Sequence, residues 1–470
     1  MGVYIFTIIL ACILGITIYF VHAELTKNQL TSLLLTIGTM FLLKDFIAAR
    51  AQLLTYILFM LSLYFIERFI QTKKVRYGAG LIIISIIIAN VHTAVWPFFF
   101  VLFLPYIGEY IIALIINGEW QLKVGLYKTN QKIKRLTKKA GADVNQKLEF
   151  LQKKREELKE VILKNKEYKE KLSQNPYKLK INKEKNIKFL LIILILCIFT
   201  GFLTPIGDTP YTYLVKTMQG NTTQNINEHS PLVLINSKEM LTVLILFFIF
   251  LMFTDIKIRL KDVFLLGGLI FLSLLSKRQL SLFYLIGIIP FNIILCSFLD
   301  KYDNKASETI KKLMVTMIGR IICLIIIVLA SYLLYKKQLN RDFVNKSTYP
   351  YDAAEFIKNN MDLDTMRLFN EYNYGSYLLL QEIPVFIDSR ADLYAPEFNG
   401  GQDIFTDFLD ISRLDKYYED NFEKYDITHV IIYKRAKLNM FLRRDSGYIE
   451  LYADDNFVIY ERLRGNDGRE

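Results

Sequence analysis

Residues 279–298 read QLSLFYLIGIIPFNIILCSF, twenty residues without a charged side chain. An α-helix of this length spans about 30 Å, which is the thickness of the hydrocarbon core of a bilayer. Lys277 and Arg278 stand directly before this stretch, and Lys301 follows it closely. The stretch therefore predicts a membrane-spanning helix with basic residues at both ends.

The composition extends this prediction to the rest of the chain. Hydrophobic residues make up 53% of the sequence and charged residues 22%, a balance typical of membrane proteins. The apolar runs long enough to cross a bilayer lie at residues 3–21, 28–43, 52–70, 78–90, 94–116, 187–205, 238–254, 263–276, 279–298 and 315–335. We therefore predict an α-helical polytopic membrane protein with about ten transmembrane helices.

The orientation of these helices follows from the short loops, because loops rich in lysine and arginine stay in the cytoplasm. The basic residues that fall on one side are Lys73, Lys74, Arg76, Lys257, Arg259, Lys261, Lys301, Lys305, Lys311 and Lys312. When the spans alternate, a long basic insert falls on the same side. The predicted parts are N-terminal transmembrane helices (1–117), a basic cytoplasmic helical insert (118–187), C-terminal transmembrane helices (188–335) with an outer loop (206–237), and an extracytoplasmic α/β domain (336–470).

The start of the chain departs from this pattern. Under the same alternation Met1 lies outside, directly before an apolar run and without the positive segment of a signal peptide. We therefore expect that an upstream helix is missing.

The net charge of +12 is unevenly distributed. The last ~135 residues hold about seven more acids than bases, so the positive excess belongs to the membrane part. Because the bases lie in short loops and in the insert, the sequence argues against nucleic acid as a partner and favours anionic lipid headgroups.

Within the insert, Leu148, Leu151, Leu158 and Ile162 share one helical face. This pattern fits a coiled coil, a headgroup-binding arm or a solvated helical hairpin.

Residues 350–461 alternate the sequence patterns of helices and strands, which predicts a small α/β domain. Predicted helices lie at 351–359 and 375–381, and predicted strands at 367–371, 384–388, 428–433, 449–452 and 457–461.

Two segments of this domain place polar and aromatic residues just past a predicted strand, namely FNEYNYGSY at 369–377 and VFIDSRADLY at 385–394. Asp388 and Asp392 flank Arg390. Their arrangement fits an anion site, a divalent-cation site or an internal Arg–Asp pair that fixes a loop. Tyr374 is placed either to stack on a sugar ring or to pack the domain onto the membrane helices.

Polar side chains at the outer ends of spans are costly, so each requires a partner or a function. Lys277 and Arg278 form a short loop on the side where positive charge is disfavoured, and fixed cations there suit a lipid-linked phosphate. Alternatively, the side chains of Lys277 and Arg278 extend to the lipid headgroups or form an ion pair with an acid of the outer domain. Glu228 and His229 are candidates for a general base or metal ligand, or are ordinary polar loop residues. Further outer-end residues are Lys44, Asp45, Arg50, Gln52, Asn90 and His92, of which His92 is also a candidate catalyst.

Several of these residues belong to short motifs. The motifs are Arg50-Ala51-Gln52, Asn90-Val91-His92, Thr204-Pro205-Ile206-Gly207, Glu228-His229-Ser230-Pro231 and Arg278. Together with the two C-terminal segments, they resemble a family of polytopic bacterial and archaeal membrane proteins related to the GT-C glycosyltransferase superfamily. The resemblance covers about residues 45–465 except the insert, and the two C-terminal segments are its strongest elements.

The resemblance implies an enzyme that takes a sugar from a polyprenyl-phosphate carrier and transfers it to an acceptor on the outer face. The residues expected to bind substrate are Arg278, Lys277, Arg50, Asn90, Tyr374, Asp388, Arg390 and Asp392. GT-C proteins usually carry a catalytic acid in a large outer loop after the first span, and this chain has no such loop near its start. The catalytic residue is therefore undefined, with Glu228, His229 and His92 as candidates.

Two functions of other classes remain open at this point. A non-catalytic scaffold or accessory subunit in cell-envelope assembly fits the absent first outer loop. A lipid or glycan transporter is weaker, because the sequence has no inverted repeat and no pair of broken helices. The sugar, the acceptor and the oligomeric state do not follow from the sequence.

Overall fold

The computed structural model describes residues 2–116, 119–137, 142–172, 179–182, 184–219, 225–313, 316–338 and 344–463. The predicted insert and C-terminal domain are thus described except at these gaps, and the side chain of Lys311 lies outside the described residues. The chain divides into two compact units, Met1–Tyr213 with Glu228–Arg320, and Leu214–Asn227 with Ile321–Glu470.

The first unit is helical. Its helices in chain order are α1 (Gly2–Thr26), α2 (Gln29–Leu42), α3 (Gln52–Thr72), α4 (Val75–Val91), α5 (Trp96–Val101), α6 (Leu104–Ile116), α7 (Glu119–Leu136), α8 (Ala142–Leu172), α9 (Ile187–Phe199), α10 (Thr209–Gln219), α11 (Lys238–Phe253), α12 (Leu260–Leu275), α13 (Leu280–Ile286), α14 (Ile288–Tyr302) and α15 (Asn304–Leu313). Helix α10 and the following helix α16 (Met317–Gln338) cross the division between the units. Each predicted apolar run forms helix, as expected for a backbone that must satisfy its own hydrogen bonds in hydrocarbon.

Among the described residues, four helical segments are long and apolar enough to cross a membrane. They are Gly2–Thr26, Gln52–Thr72, Thr93–Ile115 and Lys277–Tyr302. Shorter apolar helices cover Gln29–Leu42, Val75–Val91, Ile187–Phe202 and Met317–Leu333. The prediction of a helical protein with helices long and apolar enough to span a membrane is confirmed. That about ten helices cross the bilayer, and that the C-terminal domain lies outside the cell, stay predictions.

Helix α3 lies at the centre of the first unit. It packs against α1, α4, α9 and α13, and its side chains Tyr56, Phe59 and Met60 are almost fully buried. Helix α4 approaches α3 closely at Gly80, where an added Cβ atom would lie 2.4 Å from the Phe65 ring. Helix α3 is therefore enclosed by several neighbouring helices.

A buried ionic network surrounds Glu67 near the other end of α3. Its carboxylate lies 3.0 Å from Lys261 Nζ and 3.3 Å from Arg259 Nη1, and the Tyr106 hydroxyl donates a hydrogen bond to it at 3.2 Å. Arg259 also donates two hydrogen bonds to Asp262, at 2.6 and 2.7 Å. A carboxylate among apolar helices requires such partners. Arg259 and Lys261, which the sequence identifies only as loop cations, thus pair with buried acids.

The described parts of the insert form a helical hairpin, because α7 and α8 pack against each other. This packing fits the predicted helical hairpin, and a role of the insert as a coiled coil or as a headgroup-binding arm stays a prediction. The chain returns to the first unit through β1 (Leu179–Lys180), which pairs in parallel with β2 (Ile258–Arg259). The backbone N–H of Asn182 then donates a hydrogen bond to Glu109 Oε1 at 3.0 Å.

The second unit contains the predicted α/β domain. Its helices are α17 (Tyr351–Asn360), α18 (Tyr372–Leu380), α19 (Ile404–Arg413), α20 (Tyr418–Lys424) and α21 (Lys437–Leu442), and its strands are β3 (Leu368–Asn370), β4 (His429–Tyr433), β5 (Tyr448–Ala453) and β6 (Phe457–Arg462). The strand order is β3-β4-β6-β5. Strands β3 and β4 run parallel, whereas β6 is antiparallel to both β4 and β5.

Both faces of this sheet are covered, because successive side chains of a strand point to opposite faces. Val430 and Ile432 pack into one buried apolar cluster with Val458. Ile431 and Ile459 pack into a second cluster. The sheet is therefore the middle layer of the domain.

The predicted strand at 384–388 is wrong, since this segment has no strand partner. The side chain of Asn370 supplies the missing contacts instead. Its Oδ1 accepts a hydrogen bond from the backbone N–H of Phe386 at 2.8 Å, and its Nδ2 donates one to the carbonyl of Ile387 at 2.7 Å. The two segments that stood out in the sequence thus contact each other through a buried amide.

Gly375 tests how closely these two segments approach. An added Cβ atom would lie 2.0 Å from the Ile387 carbonyl oxygen and 2.8 Å from Asn370 Nδ2. We expect Gly375→Ala to destabilise the domain by about 1–3 kcal/mol, measured by thermal unfolding and limited proteolysis of the full chain. Gly447→Ala is the control, because its Cβ would meet only the Asp445 side chain, at 3.1 Å. Equal stability of the two variants would contradict this account.

Candidate functional site

Two outer-loop segments predicted from the sequence lie side by side in the first unit. The backbone N–H of Lys277 donates to the carbonyl of Ser230 at 3.1 Å, and the Ser276 hydroxyl donates to the carbonyl of Glu228 at 3.2 Å. These bonds fix the 228–230 segment against the turn that carries Arg278. The backbone of the segment that contains Glu228 therefore lies beside the backbone that carries Lys277 and Arg278.

Arg50 joins this group from the turn before α3. Its Nη1 lies 3.6 Å from Glu228 Oε2, and both side chains are about half exposed, at 55% and 54%. An exposed ion pair of this kind contributes little to stability. It does keep a carboxylate next to a permanent cation at a site that solvent reaches.

The first turns of α3 add polar groups beside this ion pair. The Thr55 hydroxyl lies 2.8 Å from His92 Nδ1. The positive charges of Arg50 and Arg278 both act on the buried hydroxyl of Tyr56, and that of Arg278 also acts on His92. The resulting polar cluster consists of Arg50, Tyr56, His92, Glu228 and Arg278. Sequence reasoning identified all of these residues except Tyr56.

His92 is poorly suited to act as a general base within the polar cluster. Burial, together with a smaller effect of the Arg278 charge, lowers the pKa of His92 to about 4. A base works best when its pKa lies near the working pH. At neutral pH His92 therefore serves as an uncharged hydrogen-bonding group, with one ring nitrogen directed to Thr55.

Other residues predicted from the outer loops play different parts. The amide of Asn90 donates hydrogen bonds to the carbonyls of Ile86 at 2.9 Å and Leu203 at 3.0 Å, so it connects the end of α4 to the segment that follows α9. His229 lies half-buried in the short turn Asn227–His229. Asn90 is not part of the polar cluster.

In the second unit, Asp388 and Arg390 form an internal pair. Asp388 is fully buried, and its Oδ1 accepts hydrogen bonds from the backbone N–H and the Nε of Arg390 at 2.8 and 3.0 Å. Burial raises the pKa of Asp388, but the hydrogen bonds from Arg390 outweigh this effect and hold the pKa below its usual range. Of the three interpretations allowed by the sequence, the internal Arg–Asp pair that fixes a loop is therefore the one that accounts for Asp388 and Arg390.

The divalent cation allowed by the sequence has no matching group of ligands among the described residues. Within those residues, no three His, Cys, Asp or Glu side chains lie close enough together to hold a metal ion. Both oxygens of Asp388 contact Arg390, and Asp392 lies in the adjoining turn Ala391–Tyr394. A guanidinium therefore occupies the position beside Asp388 that a cation would take.

The prediction that Tyr374 stacks on a sugar is wrong, because the side chain is fully buried. Its hydroxyl donates to the carbonyl of Ile431 at 2.7 Å. Its ring packs edge-on against Tyr433 and Phe457, both at a centroid distance of 5.3 Å. Tyr374 belongs to the core of its own domain.

Sequence reasoning missed Glu371 and Arg435. Glu371 directly follows β3, and Arg435 lies two residues beyond β4. These strands are parallel neighbours, so their carboxyl ends meet at one edge of the sheet. Burial raises the pKa of Glu371 to about 7, although the charge of Arg435 opposes this effect. The two strands were predicted from the sequence, but their pairing was not.

Comparison with known proteins does not assign this chain to a family. No protein-family model and no curated protein sequence matches it. The site must therefore be interpreted from its own chemistry.

The raised pKa of Glu371 predicts a pH-dependent stability. The folded chain keeps the proton between the ordinary pKa of 4.5 and about 7, whereas the unfolded chain releases it. We expect the contribution of Glu371 to be fully present below the lower value and to be lost as the pH rises to the upper one. Thermal unfolding against pH should therefore show a steeper decline for wild type than for Glu371→Gln. The exposed control Glu450→Gln should follow the wild-type curve, and parallel curves for all three proteins would contradict the prediction.

Proposed function

We propose that this chain is a multi-pass membrane glycosyltransferase that transfers a sugar from a polyprenyl-phosphate carrier at the outer face of the membrane. The observation that carries the proposal is that the Glu228 carboxylate lies 3.6 Å from Arg50 Nη1, while the backbone of Glu228 is hydrogen-bonded to Ser276, two residues before Arg278. A GT-C-like enzyme, the class suggested by the sequence motifs, requires a base and a phosphate-binding cation at this membrane face.

The cations suit the leaving group of such a reaction. When the bond between the anomeric carbon and the phosphate oxygen breaks, negative charge develops on the carrier phosphate. Guanidinium groups stabilise that charge through paired, charge-assisted hydrogen bonds. Among the described residues, no carboxylate lies within 4.0 Å of the Arg278 guanidinium. We therefore assign phosphate binding first to Arg278, with Arg50 and Lys277 beside it.

The Glu228 carboxylate is suited to activate the nucleophile, which is the acceptor hydroxyl. As the acceptor oxygen bonds to the anomeric carbon, its hydroxyl proton must move to a base, and polyprenyl phosphate departs with the electron pair of the broken bond. We assign this role to Glu228, whose carboxylate is about half exposed beside Arg50. His92 is the weaker candidate, because burial lowers its pKa to about 4. General-base catalysis of this kind contributes a factor of roughly 10²–10⁴.

The carrier also needs a place for its hydrocarbon chain. An apolar cavity of about 360 Å³ is lined by side chains that include Phe59, Leu265, Leu282 and Ile286. Leu282 and Ile286 belong to α13, which begins two residues after Arg278. The distance along the helix from Arg278 to Leu282 is roughly one turn, about 6 Å. A phosphate bound at Arg278 therefore fits a polyprenyl chain that enters this cavity.

Sidedness is part of the proposal. Arg278 lies at the start of the span Lys277–Tyr302, and α16 then leads to the C-terminal domain. With both segments crossing the bilayer, Arg278 and this domain share the outer compartment, while the basic insert faces anionic lipid headgroups of the inner leaflet. An impermeant maleimide applied to intact cells should label Glu450→Cys and spare Lys305→Cys, both in a Cys12→Ser background. The reverse pattern would overturn this placement.

The first test of transfer uses the full chain in lipid nanodiscs with radiolabelled polyprenyl-phosphate sugars. We expect Glu228→Gln to lower kcat by roughly 10²–10⁴, because the base is lost. Arg278→Ala should lower kcat/KM by at least about tenfold, because a charged contact to phosphate is lost. Arg76→Ala is the matched control, since Arg76 lies near the opposite end of α4 from His92.

The outcomes of this test separate the proposed functions. Equal turnover by wild type and both polar-cluster variants would exclude Glu228 and Arg278 from the reaction. Carrier binding without transfer in wild type would favour a non-catalytic accessory subunit in cell-envelope assembly.

A second test probes the apolar cavity. Gly268 lines it, and a Cβ atom at Gly268 meets nothing within 4 Å, so Gly268→Leu fills space without a clash. The added leucine side chain should displace about two methylene groups of the carrier from the cavity, and the burial of each is worth about 0.8 kcal/mol. We therefore expect the KM for a long-chain carrier to rise about tenfold and kcat to stay unchanged. Gly267→Leu is the control, because Gly267 has equal space but does not line the cavity. An equal KM for the two variants, or an equal effect on a short-chain carrier, would contradict the assignment.

A further inference from the structure

The carboxyl ends of β3 and β4 bring together two charged residues that the proposed transfer reaction does not use. Asn370 pairs with Ile431 at the end of β3, and Glu371 follows directly. Strand β4 ends at Tyr433, and Lys434 and Arg435 come next. In sheets with helices on both faces, ligands bind outside the carboxyl ends of parallel strands. This edge of the domain is therefore a natural place for a binding site.

Glu371 and Arg435 face each other without forming an ion pair. Their charges interact, yet no carboxylate oxygen of Glu371 lies within 4.0 Å of an Arg435 nitrogen. Within residues 344–463, neither side chain has a hydrogen-bond partner, and the Arg435 guanidinium lies 5.0 Å from the centroid of the Tyr433 ring. The Glu371 side chain is half-buried and the Arg435 side chain is exposed. Both therefore keep hydrogen-bonding capacity that a ligand can use.

A partly exposed aromatic ring lies near these two charged residues. The Tyr433 hydroxyl donates to the carbonyl of Thr348 at 2.9 Å, which brings Tyr349 next to the strand end. The charges of Glu371 and Arg435 and the hydroxyl of Tyr349 all act on Tyr433. Tyr349 is 38% exposed, so part of its ring surface is available for contact with the apolar face of a ligand.

We propose that Glu371, Arg435 and Tyr349 form a binding site for a neutral, hydroxyl-rich ligand, that is, a carbohydrate. Neighbouring hydroxyl groups of a sugar donate hydrogen bonds to the Glu371 carboxylate and accept them from the Arg435 guanidinium. Glu371 repels an anion and Arg435 repels a cation, so the pair selects a ligand without net charge. The C–H face of the sugar packs on Tyr349. This site lies within the second unit and does not rest on the proposed transfer reaction.

The experiment measures sugar binding by the full chain in lipid nanodiscs prepared without glycoside detergents. Saturation-transfer NMR is recorded with the methyl glycosides of glucose, mannose, galactose and N-acetylglucosamine as probes. We expect at least one glycoside to bind, and its Kd to rise at least about tenfold in Arg435→Ala and in Glu371→Gln. Arg443→Ala and Glu450→Gln, exposed changes of the same types in the same domain, should leave the Kd unchanged.

Three results would overturn the proposal. They are no binding of any probe by wild type, equal affinity in wild type and both site variants, and binding of inorganic phosphate that depends on Arg435 but is unaffected by Glu371→Gln. Arg435 and Tyr349 lie at the surface, so Arg435→Ala and Tyr349→Ala keep the test valid even if Glu371→Gln fails to fold. Because binding is measured without turnover, its failure is distinct from a failure of glycosyl transfer.

Discussion

A backbone that enters hydrocarbon must satisfy all of its own hydrogen bonds, and this constraint governs most of the first unit. It requires the long apolar segments to be helical and confines most charged side chains to the helix ends. Where a charge does lie within the helices, as at Glu67, Lys261 and Arg259 supply opposite charges at 3.0 and 3.3 Å. The polar cluster obeys the same constraint, because its charged members come from the turns between apolar helices.

The polar cluster is held together by backbone contacts rather than by its charges. The exposed ion pair of Arg50 and Glu228 is weak, whereas the bond from the Lys277 N–H to the Ser230 carbonyl joins two loop segments that are far apart in sequence. The charged groups can therefore exchange partners when a ligand binds, while the loops keep their positions. The proposed phosphate site would benefit from this combination, since Arg50 could turn from Glu228 to an incoming anion without moving the chain.

The sequence was a good guide wherever one local pattern decided the structure. Apolar runs predicted helices, and the polar residues at their outer ends included Arg50, His92 and Arg278, which lie together. Prediction failed where a contact joined distant parts of the chain. The segment 384–388 has the apolar composition of a strand, but the Asn370 amide takes the place of its strand neighbour. The edge site at Glu371 depends on the parallel pairing of two strands about sixty residues apart, which no local pattern encodes.

The short parallel pair of β1 and β2 returns the chain to the first unit directly after the helical hairpin, and the Asn182 bond to Glu109 strengthens that attachment. The start of helix α9 is thus held in place by these contacts, and its position does not depend on the length of the segment between α6 and β1. The hairpin can gain or lose turns during evolution without displacing the apolar helices, since a longer excursion changes the closure entropy only slightly. This part of the chain is free to diverge in length and charge while the rest keeps its architecture.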